Sequence, residues 1–473
     1  MAKKLPDIKQ DFAQWYQEIV YQAELADTSP VKGCMVIRPY GNSLWENIKS
    51  VLDAKIKETG HQNALFPLLI PQKFLTKEAE HVEGFSPELA VVTHAGGKEL
   101  EEPLVIRPTS ETIIHYMFAK WIHSWRDLPL KINQWGNVVR WEMRTRPFLR
   151  TTEIFWQEGH TAHETAEEAA EEADLMLQEY KKLAEDYLAI PVVAGQKSES
   201  EKFPGADKTM SIEGMMPDGK ALQMGTSHII SQNFAKVFEM TYQDRKGSMV
   251  YPFLTSWGMS TRVVGAVVMA HGDEKGLIIP PKVAPIHAVV VPILKKDADN
   301  KAVLEAAVAI KDALKKDFSI VVDDDDSKSP GAKFYKWELK GVPLRIEIGP
   351  RDLESGQAVV VDRLGLEKKA VLLSELPQYI VDQLDLIQKT LFERAEKRLK
   401  DQWCVRNKFS EFKDDLVKQG GFYQVGWCGS VECEKALKES QATIRCLLEE
   451  KKVTDCFYCD KKSECDVLVA KAY

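Results

Sequence analysis

The densest group of chemically active side chains lies in one string, RWEMRTRPFLRTTEIFWQEGH at 140–160, which holds Arg140, Arg144, Arg146 and Arg150. A guanidinium stays charged and grips phosphate or carboxylate oxygens through paired N–H donors, so this residue type at this density points to anion binding. Arg140 ends one expected strand and Arg150 opens the next, with Pro147 between them. Two arginines at the base of such a hairpin can face one anion from both sides. Three further strings bring complementary groups. RPTSET (107–112) offers hydroxyls and a carboxylate suited to an amino group, and LQMGTSH (222–228) offers an amide, a hydroxyl and an imidazole. GMSTR (258–262) offers small residues and an arginine ahead of an apolar run. No GxxxxGK[ST] loop and no GxGxxG fingerprint occurs, so a nucleotide would need an arginine clamp rather than a glycine-rich cradle.

These strings need elements to hold them. Residues 131–142, 153–159 and 262–270 read as strands, and 161–187 as a long helix. Thr161 with Glu164 fits a capping box, acids fill the first turns, and Lys181 and Lys182 follow late, as the helix dipole favours. Leu175, Leu177, Tyr180, Leu183, Tyr187 and Leu188 supply an apolar face, and Pro191 ends it. Helices and strands in no simple alternation make the front an α+β unit built on an antiparallel sheet. The prolines of IIPPKVAP (278–285) mark a boundary. Beyond it strand and helix alternate: IHAVVVPIL, a helix at 300–316, FSIVV, the helix GAKFYKWELKG, then LRIEIG and QAVVVDR. That order predicts a compact, mostly parallel α/β unit. A helix from about Glu375 to Trp403 leads to a cysteine-rich end.

The 473 residues are 44% hydrophobic and 28% charged, enough for several cores and too apolar for a disordered chain. No run of about 18 apolar residues occurs, and MAKKLPDIKQDFAQWYQ lacks the apolar block of a secretory signal. No membrane association and a cytoplasmic address are therefore expected. The net charge of −8 does not call for a nucleic-acid partner, so a polyanion would have to be drawn by local fields. Acid gathers at 163–174 and at Asp323 to Asp326, base around the arginine hairpin and at 392–400.

Cysteine usage is lopsided, with seven of eight lying between Cys404 and Cys465. In a long chain of this kind that pattern means a metal site rather than disulfides. Cys428 and Cys433 form one short pair, Cys456 and Cys459 another; two such pairs across a loop suit tetrahedral zinc. Four thiolates close the coordination shell, so the role is structural. Cys446 and Cys465 remain alternative ligands.

Taken together, GCMVIRPYGNSLWENI (33–48), the arginine hairpin and GMSTRVVGAV (258–267) resemble motifs 1, 2 and 3 of class II aminoacyl-tRNA synthetases. RPTSET, the hairpin, LQMGTSH and GDEKGLIIPPKVAP look like the prolyl-tRNA synthetases, of the archaeal and eukaryotic-like type, and the likeness runs end to end. It implies an α+β fold in three parts: a class II catalytic domain at 1–284, an α/β anticodon-binding domain at 285–385 and a small zinc-binding α/β domain at 386–473. It implies proline–tRNA ligase activity with ATP and Mg²⁺, L-proline and proline tRNA as substrates, a structural Zn²⁺, and a homodimer formed through the Pro39 segment.

The same resemblance assigns residues. Thr109, Glu111 and Arg140 would hold the amino and carboxylate ends of proline, with Trp156, Phe203 and His228 walling the ring and Ser260 beside it. Arg140, Arg150, Thr151, Gln223, Thr226 and Arg262 would bind ATP. Arg140, Glu142 and Arg262 form the implied catalytic set, Glu142 completing motif 2. Glu338, Arg345 and Arg351 would read anticodon guanines, which suits an arginine fork on a base edge. Cys428, Cys433, Cys456 and Cys459 would be the zinc ligands, and the carboxylate of Tyr473 would reach back toward the active site. Glu158 and Gly258 bracket only about 100 residues, too few for the editing insert of bacterial-type relatives. Two alternatives stand beside this reading. One is a synthetase for threonine, glycine or histidine, which RPTSET and the cysteine-rich tail disfavour. The other is a non-catalytic, synthetase-like tRNA-binding protein, which would typically lose the arginines retained at 140, 150 and 262.

Overall fold

A computed structural model describes residues 4–75, 89–295 and 299–473, so the first three residues of the amino-terminal stretch lie outside the described part. Helix α1 (Pro39–Glu58) starts on a proline, whose missing N–H is harmless in a first turn, and buries Leu44, Trp45, Ile48, Leu52 and Ile56. The front sheet uses β1 (Gln62–Asn63), β2 (Leu130–Val139), β3 (Glu153–His163), β4 (Val192–Gln196), β5 (Lys208–Met215), β6 (Ala221–Ser231) and β7 (Phe253–Ser260). Their order is β4-β5-β6-β7-β3-β2-β1, antiparallel except for β1 against β2. Helix α2 (Glu111–Trp121) follows the RPTSET string, and α3 (Ala166–Lys182) covers one face of the sheet. Tyr180 on α3 hydrogen-bonds the Gln157 side chain at 2.6 Å, and Ser227 donates to the Ala173 carbonyl at 2.7 Å.

Two local expectations are corrected here. Thr161 does not cap the long helix: it sits within β3, with its hydroxyl 2.5 Å from that of Thr255. The cap is Thr165, which accepts from the Glu168 N–H at 3.1 Å. Capping signals four residues apart cannot be separated by spacing alone. Residues 262–270 are not a strand but helix α4 (Arg262–His271), every residue of which from Val263 onward is buried. A segment buried on all sides shows no period, and its valines bias the reading toward a strand.

The second unit is a five-stranded sheet of β8 (Ala288–Pro292), β9 (Ile320–Val322), β10 (Leu344–Ile348), β11 (Gln357–Asp362) and β12 (Lys368–Leu372), flanked by α5 (Lys301–Leu314) and α6 (Pro330–Leu339). The order is β9-β8-β10-β11-β12. Only β9, β8 and β10 run parallel; β10, β11 and β12 are antiparallel, so "mostly parallel" is corrected to mixed. The connections after β10 and β11 are too short for a parallel crossover.

Helix α7 (Leu376–Asp401) passes through the expected 385/386 division without a break. Its early residues Leu376, Ile380, Leu384, Ile387 and Leu391 pack into the mixed-sheet core, while Leu399 packs on the last unit. That unit holds β13 (Trp403–Val405), β14 (Phe422–Trp427), helix α8 (Val431–Lys435), β15 (Thr443–Leu448) and β16 (Cys465–Ala470). Its strands continue the front sheet through β15 and β4, where Leu447 pairs with Gln196. The result is one 11-stranded sheet, β13-β14-β16-β15-β4-β5-β6-β7-β3-β2-β1. Among the described residues no helix is long and apolar enough to cross a membrane.

Gly159 on β3 faces the Trp257 ring, and a Cβ there would lie 2.0 Å from ring carbon. Gly159→Ala is expected to lower stability by about 1–3 kcal/mol or more, because neither the strand nor the buried indole can give way. A denaturant midpoint equal to that of the unsubstituted protein would contradict this packing.

Candidate active site

Alternation along antiparallel strands places every second residue on one face, and α3 occupies the other. The open face therefore collects Trp156, Glu158 and His160 from β3, Ser256, Gly258 and Ser260 from β7, and Thr226 and His228 from β6. Register aligns them in rows: Trp156 opposite Ser260, then Glu158–Gly258–Thr226, then His160–Ser256–His228–Thr209. They line a cavity of about 360 Å³.

Ten of the expected substrate residues meet in that cavity: Thr109, Glu111, Arg140, Trp156, Phe203, Gln223, Thr226, His228, Ser260 and Arg262. Arg140 follows β2, donates from Nε to the Pro108 carbonyl at 2.8 Å, and lies with its guanidinium carbon 5.5 Å from the Trp156 ring centre. The residue lines the cavity and is exposed; partial desolvation pulls its pKa below the usual guanidinium value, with Glu111 and Glu158 opposing the fall. Arg262 opens α4; it donates to the carbonyls of Leu149 at 3.1 Å and Gln223 at 3.3 Å. Burial lowers its pKa as well, against the pull of Glu213. Both arginines remain cations at neutral pH, held by carbonyl dipoles and therefore able to meet an anion.

Thr109 donates its hydroxyl to the Glu111 carboxylate. The rings of Phe203 and His228 pack in a tilted arrangement with centres 4.9 Å apart, and His228 Nδ1 lies 2.9 Å from the Thr209 hydroxyl. Burial drives the His228 pKa down to about 4, so the wall it forms is a neutral imidazole.

Glu142, Arg150 and Thr151 stand apart from the cavity lining. Glu142 and Arg150 pair at 2.7 Å on an exposed part of the hairpin, and the Thr151 hydroxyl donates to the Glu153 carbonyl at 2.6 Å. In this conformation Arg150 is engaged by Glu142, so a phosphate would have to draw it away.

Sequence reading did not single out Glu158, His160, Ser110 or Gln134. Ser110 donates to Glu158 at 2.5 Å, Gln134 donates at 2.7 Å, and His160 Nε2 lies 3.1 Å from the other carboxylate oxygen. Burial alone would raise the Glu158 pKa, yet His160 and these donors bring it below the usual carboxylate range. Burial would lower that of His160, yet Glu158 and Glu111 raise it. Glu158 and His160 thus each favour the charged form of the other. A signal was available: 156, 158 and 160 recur with the period of a strand whose Trp156 is already in the site.

Farther back, Cys428 Sγ lies 3.7 Å from Cys433 Sγ and 3.6 Å from Cys459 Sγ, and with Cys456 the four sulfurs fall within 4.8 Å of one another. Tetrahedral Zn–S bonds of about 2.3 Å place sulfurs roughly 3.8 Å apart, so the cluster fits a metal. Cys446 and Cys465 lie outside it; Cys446 is buried in β15 against Gly195. In the mixed-sheet unit, Glu338 pairs with Lys275 at 3.3 Å and Arg345 with Glu347 at 2.9 Å, the latter guanidinium lying over Phe334 one turn before Glu338. Arg351 is exposed. The Tyr473 ring sits between Arg146 of the hairpin and Lys220, at 5.9 and 5.0 Å, and its N–H donates to the Ala221 carbonyl.

An antiparallel sheet carrying paired arginines and a cavity on its open face is the core of a class II aminoacyl-tRNA synthetase, and residues 92–271 match the tRNA synthetase class II core domain (G, H, P, S and T). Residues 287–383 match the anticodon binding domain, and residues 409–473 the prolyl-tRNA synthetase C-terminal domain. Proline–tRNA ligase 2 of Clostridioides difficile is 51% identical over 475 residues, covering 100% of this chain and 98% of the relative. Proline–tRNA ligase of Borreliella burgdorferi is 51% identical over 489 residues and all of both chains. Prolyl-tRNA synthetase of Cryptosporidium parvum, in crystal structures with halofuginone and AMPPNP and with L-proline and AMP, superposes with TM-scores of 0.94 and 0.93 at 42% and 41% identity, covering 99% of each chain. The chain belongs to the prolyl-tRNA synthetase family.

Burial holds the pKa of His115 at about 3 and those of His163, His228 and His271 at about 4, all below the ordinary 6.5. Each therefore contributes stability that is present above pH 6.5 and lost as pH falls toward the folded value. The loss is about 1.4 kcal/mol per histidine per pH unit; His160, whose pKa is raised, opposes it. Thermal melts at pH 7.5, 6 and 5 should show a falling Tm; a flat Tm would refute neutral burial of these rings.

Proposed function

We propose that the cavity is where this proline–tRNA ligase joins L-proline to ATP, and that its residues divide the work as follows. Glu111, with Thr109, receives the cationic amine of proline, while Arg140 takes the carboxylate. The ring packs among Trp156, Phe203 and His228, with Ser260 at its edge. Gln223, Thr226 and Arg262 hold the nucleotide, and Arg150, released from Glu142, joins Thr151 at the phosphates.

The single observation that carries this reading is Arg140 itself. It is an exposed cation lining the cavity between a carboxylate-lined pocket and the row that leads to Arg262. Attack of the proline carboxylate on the α-phosphate builds charge on phosphoryl oxygens. Arginines already fixed by carbonyls stabilise that charge without having to reorganise. Mg²⁺ arriving with ATP would neutralise part of the phosphate charge, and no side-chain nucleophile is required. The adenylate is then consumed by the 3′ end of proline tRNA, whose anticodon guanines are met by Glu338, Arg345 and Arg351. The retained arginines favour this catalytic reading over a tRNA-binding protein without activity.

Three structural roles complete the proposal. Cys428, Cys433, Cys456 and Cys459 hold a structural zinc ion. The Pro39 segment forms a homodimer interface, in keeping with the exposed Val31 and Val36 on the hairpin before α1. The chain works in the cytoplasm as three parts, 1–284, 285–385 and 386–473, the last two sharing α7. Between Glu158 and Gly258 the chain is taken up by α3, β4, β5, β6, a helix at Asn233–Val237 and a small hairpin at 242–250, which supports the absence of an inserted editing domain.

Arg140→Ala is expected to cut proline-dependent ATP–pyrophosphate exchange by about 10²–10³, the loss seen when one preorganised donor is removed. The variant should still sediment as a dimer and retain zinc. Near-normal exchange by a folded, zinc-bearing variant would sink the assignment.

A further inference from the structure

The cavity wall is not supplied by the sheet and RPTSET alone. Glu201, Lys202, Phe203 and Pro204 come from the connection between β4 and β5, residues 197–207. Phe203 is fixed at its tip: its N–H donates to the Thr209 hydroxyl at 2.8 Å, and its ring lies on His228. The root is fixed by other means. Lys197 and Ser198 are only 3% and 1% exposed, and their side chains do not point to the catalytic sheet alone.

Lys197 Nζ donates to Glu213 at 2.6 Å and to the carbonyl of Arg445, on β15, at 2.9 Å. Arg445 reaches back and grips both Glu213 oxygens at 3.0 and 3.1 Å. Ser198 donates its hydroxyl at 2.6 Å to Glu434 on α8, the residue directly after Cys433. The Ser198 carbonyl then accepts from Glu201 N–H at 3.1 Å, starting the turn that presents residues 202–204 to the cavity. Backbone pairing between β4 and β15 is a single residue pair, so these buried side chains supply most of the polar connection there. A buried ion cluster has one well-paired arrangement and strongly penalises loss of a partner, so it fixes a position rather than merely adding contact.

We infer that Glu434 and Arg445 of the C-terminal unit are positioning residues for the amino-acid pocket, setting the root of the 197–207 connection and hence the place of Phe203. The inference rests on the reading of Phe203 as a pocket wall. It gives the cysteine-rich unit a task in amino-acid binding, exerted through the residue next to one of its metal-site cysteines.

The test uses the full-length enzyme and steady-state ATP–pyrophosphate exchange with Ser198→Ala, Glu434→Ala, Glu434→Gln and Phe203→Ala. Arg445→Ala is avoided because it would strand Glu213 against Lys197 alone. Ser198→Ala and Glu434→Ala should each raise the KM for proline about tenfold, as expected for losing a hydrogen bond to a charged group, while the KM for ATP stays within about twofold. Their combination should be no worse than either alone. Glu434→Gln, which keeps an acceptor oxygen, should recover most of the affinity. Deuterium exchange should rise in the amides of 199–206 and not in the cysteine cluster. Unchanged proline KM in folded Ser198→Ala and Glu434→Ala, with a raised KM in Phe203→Ala, would overturn the tether alone. An unchanged KM in Phe203→Ala would overturn the pocket reading and the inference with it. Equal rises in the proline and ATP KM would also overturn it.

Discussion

Everything at the site depends on the register of three neighbouring antiparallel strands. With Trp156 opposite Ser260, Glu158 opposite Gly258 and Thr226, and His160 opposite Ser256 and His228, one face of the sheet gathers the cavity's working groups. A slip of one residue on β3 would turn Trp156, Glu158 and His160 under α3 and bring Gln157 and Gly159 into the cavity. Buried contacts on the covered face resist that slip: Trp257 over Gly159, and Tyr180 on Gln157. Packing on the covered face thus specifies chemistry on the open one.

The same register gathers charge of both signs around one cavity. Glu111 and Glu158 favour the charged form of Arg140, and Glu158 and His160 favour each other's, so opposite charges are matched around the cavity. A cavity poised in this way favours a zwitterion, whose ammonium and carboxylate match its two signs, over an uncharged ligand. Beyond the cavity, the sheet runs on without a break into the C-terminal strands, so the cysteine-rich unit is mechanically part of the catalytic one.

Legibility in the sequence followed how local each determinant was. The arginine hairpin, RPTSET, LQMGTSH and the cysteine pairs announce their chemistry through residue type and short spacing, and the fold brings ten of the expected substrate residues together. Positions whose role depends on distant partners were harder to see. Arg262–His271 is helical because it is enclosed on every side, including by Leu149 and Tyr16 against Gly265, and its valine-rich string carries no trace of that enclosure. Thr161 and Thr165 offer equivalent capping hydroxyls, and only the pairing of Thr161 with Thr255 decides between them. Glu213, Lys197 and Arg445 form one buried cluster from residues 248 positions apart at the widest, a separation that no local pattern reveals. The cysteines show an intermediate case. Pairing was visible in the spacing, while the exclusion of Cys446 and Cys465 required the strands that carry them.

The central claim is that this cavity selects proline by joining opposite charges to a small apolar ring pocket. ATP–pyrophosphate exchange by the purified protein, run separately with each of the standard amino acids, tests it most directly. The account predicts exchange driven chiefly by proline, with weaker signals from alanine and cysteine, since a small apolar pocket discriminates by only about 10–200-fold per methylene. Exchange driven by a different amino acid, or by none, would contradict it.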